Sequence, residues 1–143
     1  MLCGVTLDGE TGLDGHSDAD VCLHAVTDAI FGALARGDIG DHFPDTDPRW
    51  QNSDSSVFVA RAIEVAEEEG FALVNCDLTI VGEKPRIAAH REDLRESLAV
   101  MLRVALPAVS VKATTTEGLG FVGRAEGLAA LAVVLLARDS RNE

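Results

Sequence analysis

The chain of 143 residues has no tyrosine, one tryptophan (Trp50) and only 4% aromatic residues. Its core must therefore be assembled from Ala, Val, Leu and Ile, which make up most of its 47% hydrophobic content. Basic residues are also scarce, at 12 Lys and Arg against 24 Asp and Glu, for a net charge of −12. That field repels nucleic-acid backbones and anionic membrane surfaces, so neither is an expected partner. An anionic small molecule would be repelled as well, unless divalent cations or locally placed basic groups and backbone N–H groups reverse the potential. The three cysteines, Cys3, Cys22 and Cys76, are odd in number and widely spaced. They read as reduced thiols of a cytoplasmic protein rather than a disulfide framework. No charged-then-apolar leader opens the sequence, and the apolar run 128–137 is too short to span a bilayer. There is no internal repeat and no Gly-, Pro- or Ser-rich linker, so residues 1–143 are expected to form one domain.

The periodicities that are present predict alternating strands and helices. Residues 2–7 alternate loosely and read as a short strand closed by Asp8-Gly9. Asp18 or Asp20 can cap a helix running to about Arg36, with Gly37 as its stop. Cys22, Val26, Ala29, Ile30 and Ala33 form its apolar stripe, and Asp20, His24 and Asp28 follow at i, i+4 spacing on another side. An ordered Asp-rich loop over 38–53 carries two X-Pro steps. Further helices are expected over about 54–69 and 89–106, the latter with Leu94, Leu98, Met101, Leu102 and Ala105 on one face. Val74–Val81 and Val109–Ala113 read as strands, while Glu126–Arg138 suits a helix by its Ala and Leu and a buried strand by Val133-Val134. The pattern predicts an α+β domain, an α/β-type sandwich with a mixed β-sheet covered by about three helices.

Chemistry concentrates in two places. Around the predicted first helix, His16, His24 and several aspartates could serve imidazole-preferring metals or hard cations. His24 has carboxylates one turn away on either side, and Asp20 or Asp28 is placed to receive its second ring nitrogen. The competing reading is a helix histidine in ordinary ion pairs. His16, ahead of the helix, can meet an anion or serve as a simple turn residue. Asp38-Ile39-Gly40 and Phe43-Pro44-Asp45-Thr46-Asp47 could grip hydroxyl groups, or form only an Asx-turn loop. Downstream, Thr114-Thr115-Thr116-Glu117 offers hydroxyls, backbone N–H groups and a carboxylate for phosphoryl oxygens and a bridging cation, against a plain β-prone run ending in a Gly turn.

In order and spacing, the blocks Gly15-His16-Ser17-Asp18-Ala19-Asp20-Val21, Gly37-Asp38-Ile39-Gly40, Phe43 to Pro48, Lys112 to Glu117 and Gly118 to Phe121 resemble the 2-C-methyl-D-erythritol 2,4-cyclodiphosphate synthases. The likeness covers residues 3 to about 137. The resemblance implies a homotrimer that converts 4-diphosphocytidyl-2-C-methyl-D-erythritol 2-phosphate to the cyclic diphosphate and releases CMP. It implies that His16 and Thr115 stabilise the transition state. It assigns Ser17, beside His16, to substrate binding, Asp38, Ile39 and Gly40 to substrate hydroxyl binding, and Phe43, Pro44, Asp45, Thr46 and Asp47 to the adjoining substrate loop. Gly82, Glu83, Lys84, Pro85, Arg86, Ile87 and Ala88 match the cytosine pocket, and Thr114, Thr116 and Glu117 the nucleotide phosphates. His24 matches a ligand of a transition metal, zinc, and Glu117 is associated with a second divalent ion, Mg or Mn. Phe121 and Arg124 match positions on the trimer axis, where an isoprenoid diphosphate can bind. The family's Asp-x-His metal pair, on a first strand upstream of Cys3, has no counterpart upstream of Cys3 here. Ala125 stands where the family tends to have Gly, and Arg86 where Lys is usual. Two other classes stay open on the residues alone. One is a non-catalytic trimer that binds a nucleotide or isoprenoid diphosphate. The other is a metal-dependent phosphohydrolase acting through the Asp-rich loop.

Overall fold

The computed structural model describes residues 1–7 and 20–140. A three-stranded mixed sheet holds the middle of the fold, in the order β2-β1-β3. β1 (Phe71–Val81) pairs in parallel with β2 (Val109–Thr114), with Cys76 opposite Val109 and Val81 opposite Thr114. It pairs antiparallel with β3 (Ala129–Arg138), with Phe71 opposite Arg138 and Val81 opposite Ala129. Parallel neighbours need a crossover connection, and α4 (Arg91–Leu102) supplies it between β1 and β2. α1 (Val21–Ala33) and α3 (Ser55–Glu68) complete the cover. Two single-turn helices, α2 (Ile39–His42) and α5 (Gly120–Gly123), sit in the connections.

The sheet's two faces differ as strand alternation requires. Cys76, Leu78 and Ile80 of β1 and Val109 and Val111 of β2 are buried, in one core with Leu23, Val26, Ile30 and Phe31 of α1, Val59 and Ala62 of α3, and Leu94, Leu98 and Leu102 of α4. On β3, Ala130, Ala132, Val134 and Leu136 pack against that core, while Leu131, Val133 and Leu135 are 59%, 69% and 55% exposed. This alternation settles the last run as a strand. The mixed sheet and its three long helices agree with the fold expected from sequence.

Three boundaries differ from the sequence reading. Residues 2–7 form a tight turn rather than a strand: Leu2 and Val5 exchange backbone hydrogen bonds of 2.9 and 2.8 Å across Cys3 and Gly4, both at positive φ. The buried Asp20 carboxylate fixes that reversal, because it accepts from the N–H groups of Cys3 (3.0 Å) and Gly4 (2.7 Å). The first helix stops at Ala33, short of Arg36, since Ala35 turns left-handed at φ 55° before Gly37 is reached. Likewise α4 ends at Leu102, where Arg103 takes φ 59°, and Ala105 lies outside the helix and exposed. Pro107 lies within the 3-10 turn Leu106–Ala108 that follows. The Asp8-Gly9 turn and the alternative cap Asp18 lie outside the described residues.

Candidate functional site

The candidate residues fall into two groups. The first surrounds the middle and far end of α1. Asp20 caps this helix by accepting from the Leu23 N–H (3.1 Å), which starts α1 at Val21 and sets His24 in its first turn. Both Asp20 oxygens are taken by backbone donors, Cys3, Gly4 and Leu23, and not by the imidazole. Asp28 is also engaged elsewhere, accepting from the Ile39 N–H at 2.9 Å. The expected carboxylate partner of His24 is thus replaced by a hydroxyl: Ser55 Oγ lies 3.2 Å from His24 Nε2, and Phe58 tilts against the ring at 5.8 Å. Ser55 is buried at the first position of α3. It was not foreseen, because no spacing rule links residues 31 apart in sequence.

The loop after α1 is held by its own carboxylates. Asp38 caps α2 by accepting from the Asp41 N–H (3.1 Å), and the Asp41 carboxylate in turn accepts from the Asp38 N–H (3.2 Å). His42 stacks on Phe31 with ring centroids 3.8 Å apart and places Nε2 2.8 Å from the Arg36 carbonyl. Phe43 is buried between Trp50 (4.8 Å) and Phe58 (4.6 Å), which anchors the loop beside His24. Pro44, Asp45 and Thr46 remain exposed, as does Gly40. Asp47 is bound by Arg49, whose guanidinium holds its carboxyl below the usual carboxylate range. His16 and Ser17 lie outside the described residues, as does the Asp14-Gly15-His16 triplet, which reads Asp-x-His.

The second group gathers at the C-terminal ends of β1 and β2. The parallel pairing that ends at Val81 and Thr114 continues one step, as the Gly82 N–H donates to the Thr114 carbonyl at 2.9 Å. Gly82–Ala88 and Thr114–Glu117 are therefore neighbours within one chain. Lys84-Pro85 is a cis peptide, Pro85 and Ile87 are buried, and Lys84, Arg86 and Ala88 face solvent. Glu83 turns the other way: its Oε1 accepts from the N–H groups of Thr116 and Gly118, both at 3.3 Å. Thr115 Oγ1 accepts from the Glu117 N–H (3.2 Å), and Thr116 Oγ1 donates to the Leu119 carbonyl (2.6 Å). Glu117 is exposed at φ 54°. The sequence reading offered the loop's N–H groups to phosphoryl oxygens, but those of Thr116, Glu117 and Gly118 already have acceptors. Thr114 Oγ1 donates to the Thr115 carbonyl (3.3 Å), which leaves the exposed Thr115 hydroxyl better placed for that contact. Phe121 is 54% exposed, and Arg124 pairs with Glu126 at 2.8 Å.

Neither group amounts to a finished transition-metal centre. Among the described residues no three His, Cys, Asp or Glu side chains converge as metal ligands, and such a site needs three protein ligands. His24 alone does not meet that requirement. The cysteines, all buried, do not add to it: burial pushes the Cys76 thiol up to about 12, and a hydrogen bond with Cys22, reinforced by burial, raises Cys3. Both stay protonated and pack as small apolar groups. A cavity of about 630 Å³, lined by Ile63, Phe71, Leu102 and Arg103 among others, opens at the start of β1. It is lined by none of the candidate residues. No described helix is long and apolar enough to cross a membrane.

The model of the YgbB family matches residues 1–137. A bifunctional enzyme IspD/IspF of Hyphomonas neptunium is 56% identical over 135 residues, which cover 94% of this chain and 36% of that protein. The 2-C-methyl-D-erythritol 2,4-cyclodiphosphate synthase of Geobacillus kaustophilus is 55% identical over 139 residues, 97% of this chain and 88% of its own length. Among solved structures, the bifunctional IspDF from Campylobacter jejuni aligns over all of this chain and 39% of its own, with a TM-score of 0.91 and 38% identity. A CDP-bound 2C-methyl-D-erythritol-2,4-cyclodiphosphate synthase aligns over 96% of this chain and 89% of its own, with a TM-score of 0.85 and 37% identity. The chain thus spans little more than a third of its bifunctional relatives and most of the shorter ones.

Proposed function

The chain belongs to the YgbB family, together with the cyclodiphosphate synthases it matches over most of their length, and on that ground we propose that it is a cyclodiphosphate synthase. Its substrate is 4-diphosphocytidyl-2-C-methyl-D-erythritol 2-phosphate. An oxygen of the 2-phosphate attacks the β-phosphorus. The bond from that phosphorus to the oxygen bridging to the α-phosphorus breaks, the ring closes and CMP leaves with the electron pair. Both reacting groups belong to one molecule, so catalysis is chiefly alignment and neutralisation of charge.

The observation that carries this reading is the junction of Gly82–Ala88 with Thr114–Glu117. It sets a base-reading turn beside exposed hydroxyls, the arrangement a cytidine diphosphate needs. Thr115 holds a phosphoryl oxygen through its hydroxyl, with Thr114 and Thr116 beside it, and His16 is the second residue given to the transition state. Ser17, Asp38–Gly40 and Phe43–Asp47 hold the methylerythritol end. Glu117 offers a carboxylate to Mg or Mn, an ion that neutralises phosphate oxygens when bound. The family match implies metal dependence; zinc at His24 is part of the proposal. Since the described residues do not complete that centre, no step is assigned to it.

The assembly we propose is a homotrimer, with sites between subunits. It is supported by the exposed apolar residues Val74, Leu131, Val133 and Leu135 of the sheet, which water would otherwise cover at a cost. Phe121 and Arg124 would then face the axis. Cytoplasmic location is consistent with three free cysteines.

One observation favours a second reading. With no convergent metal ligands among the described residues, a trimer that binds cytidine nucleotides without turnover is the alternative. Calorimetry with CDP and a divalent ion tests the pocket that both readings share. CDP is expected to bind at least tenfold tighter than ADP, about 1.4 kcal/mol, and equal affinities would remove the cytosine pocket. Release of CMP from the full substrate then separates catalyst from binder.

A further inference from the structure

Glu83 lies in a segment matched to the cytosine pocket, yet its carboxylate addresses the protein. One oxygen, Oε1, accepts from two backbone donors of the threonine loop, Thr116 and Gly118, at 3.3 Å each. The residue between those donors, Glu117, and Gly118 itself have φ of 54° and 80°. In this turn the Thr116 and Gly118 N–H groups face one point and form an anion-binding concavity. In this fold the concavity is filled from within the chain, by a carboxylate that arrives from the end of β1.

We infer that Glu83 is a positioning residue: it ties the base-reading turn Gly82–Ala88 to the phosphate loop Thr114–Gly118, so that the two halves of the nucleotide site keep one spacing. The inference rests on the nucleotide-binding reading above. Two consequences follow from the geometry. Phosphoryl oxygens do not compete for the Thr116 and Gly118 N–H groups and meet the Thr115 hydroxyl instead, since those of Thr114 and Thr116 donate to backbone carbonyls. Thr115 Oγ1, already accepting from the Glu117 N–H at 3.2 Å, is left with its hydroxyl hydrogen to donate. The tether also acts without net charge, since what it requires is an acceptor oxygen at one point. A glutamine amide supplies that oxygen, and an alanine does not.

The test compares Glu83→Ala and Glu83→Gln with the unaltered chain by amide hydrogen exchange and by CDP calorimetry. In Glu83→Ala the Thr116 and Gly118 amides are expected to exchange at least about tenfold faster and CDP to bind about tenfold more weakly, as two donors lose their acceptor. Glu83→Gln is expected to hold both values within about threefold, because its Oε1 accepts the same bonds. Unchanged exchange in Glu83→Ala overturns the tether. Faster exchange with unchanged CDP affinity overturns the positioning role. A Glu83→Gln variant as impaired as Glu83→Ala overturns the neutral-acceptor argument and assigns the effect to charge. If the unaltered chain binds no CDP, the nucleotide reading falls and the positioning inference falls with it, whereas the exchange rates still decide whether the tether exists.

Discussion

Asp20→Ala is the substitution with the largest effect that the structure allows to be worked out in advance. The side chain is 2% exposed and accepts three backbone donors: Cys3 at 3.0 Å, Gly4 at 2.7 Å and Leu23 at 3.1 Å. Loss of the Leu23 bond removes the α1 cap, which costs about 1 kcal/mol. The other two bonds join the N-terminal turn to that helix: the buried Cys3 N–H left without an acceptor costs about 1–2 kcal/mol, and the exposed Gly4, whose N–H water can reach, about 0.5–1 kcal/mol. Together the loss is about 2.5–4 kcal/mol, a large part of the roughly 5–15 kcal/mol that a domain has. Asp20→Asn separates the contributions. Its amide oxygen can keep Cys3 and Leu23, but its NH₂ then faces the Gly4 N–H, and the expected loss falls to about 1–2 kcal/mol. Urea unfolding at neutral pH and one fixed protein concentration measures both, since assembly makes stability concentration-dependent. A loss below about 1 kcal/mol in Asp20→Ala, or equal losses in the two variants, would refute the anchoring argument.

Two further outcomes follow. Asp54 caps α3 by accepting from the Ser56 N–H at 2.9 Å, and that bond holds its carboxyl below the usual range. With a lowered folded-state value, its contribution is complete above the unfolded-state value near ~3.9 and disappears as pH falls through the folded one. Asp54→Ala should therefore cost about 1 kcal/mol at pH 7 in thermal melts, a loss that shrinks as pH falls through the folded-state value, and a pH-independent loss would contradict the cap assignment. Light scattering at micromolar concentration should give about three times the chain mass of 15.1 kDa, and a monomer would sink the trimer.

Helices and strands were legible wherever local rules act alone. Asp20 is one of the two caps that spacing points to, and β1, β2 and α3 appear close to their expected places. Backbone geometry created by distant partners was not legible. Cys3-Gly4 turns back because a carboxylate 16 residues away in sequence receives its N–H groups. β3 could not be told from a helix by its own periodicity, and its pairing to β1 decides it. At the site, residue types pointed to the right segments but not to what each atom does. Asp28 holds the Ile39 N–H instead of His24, Ser55 meets His24 across 31 residues, and Glu83 meets the threonine loop across 33. Each acts through a contact that only tertiary packing makes.

Product analysis tests the proposed cyclisation most directly. The chain is incubated with 4-diphosphocytidyl-2-C-methyl-D-erythritol 2-phosphate, Mg and Zn, and the mixture is followed by phosphorus NMR. The cyclisation account predicts CMP and the cyclic diphosphate in equal amounts, with no inorganic phosphate. CMP accompanied by an open-chain diphosphate, inorganic phosphate as the main product, or no turnover would contradict it.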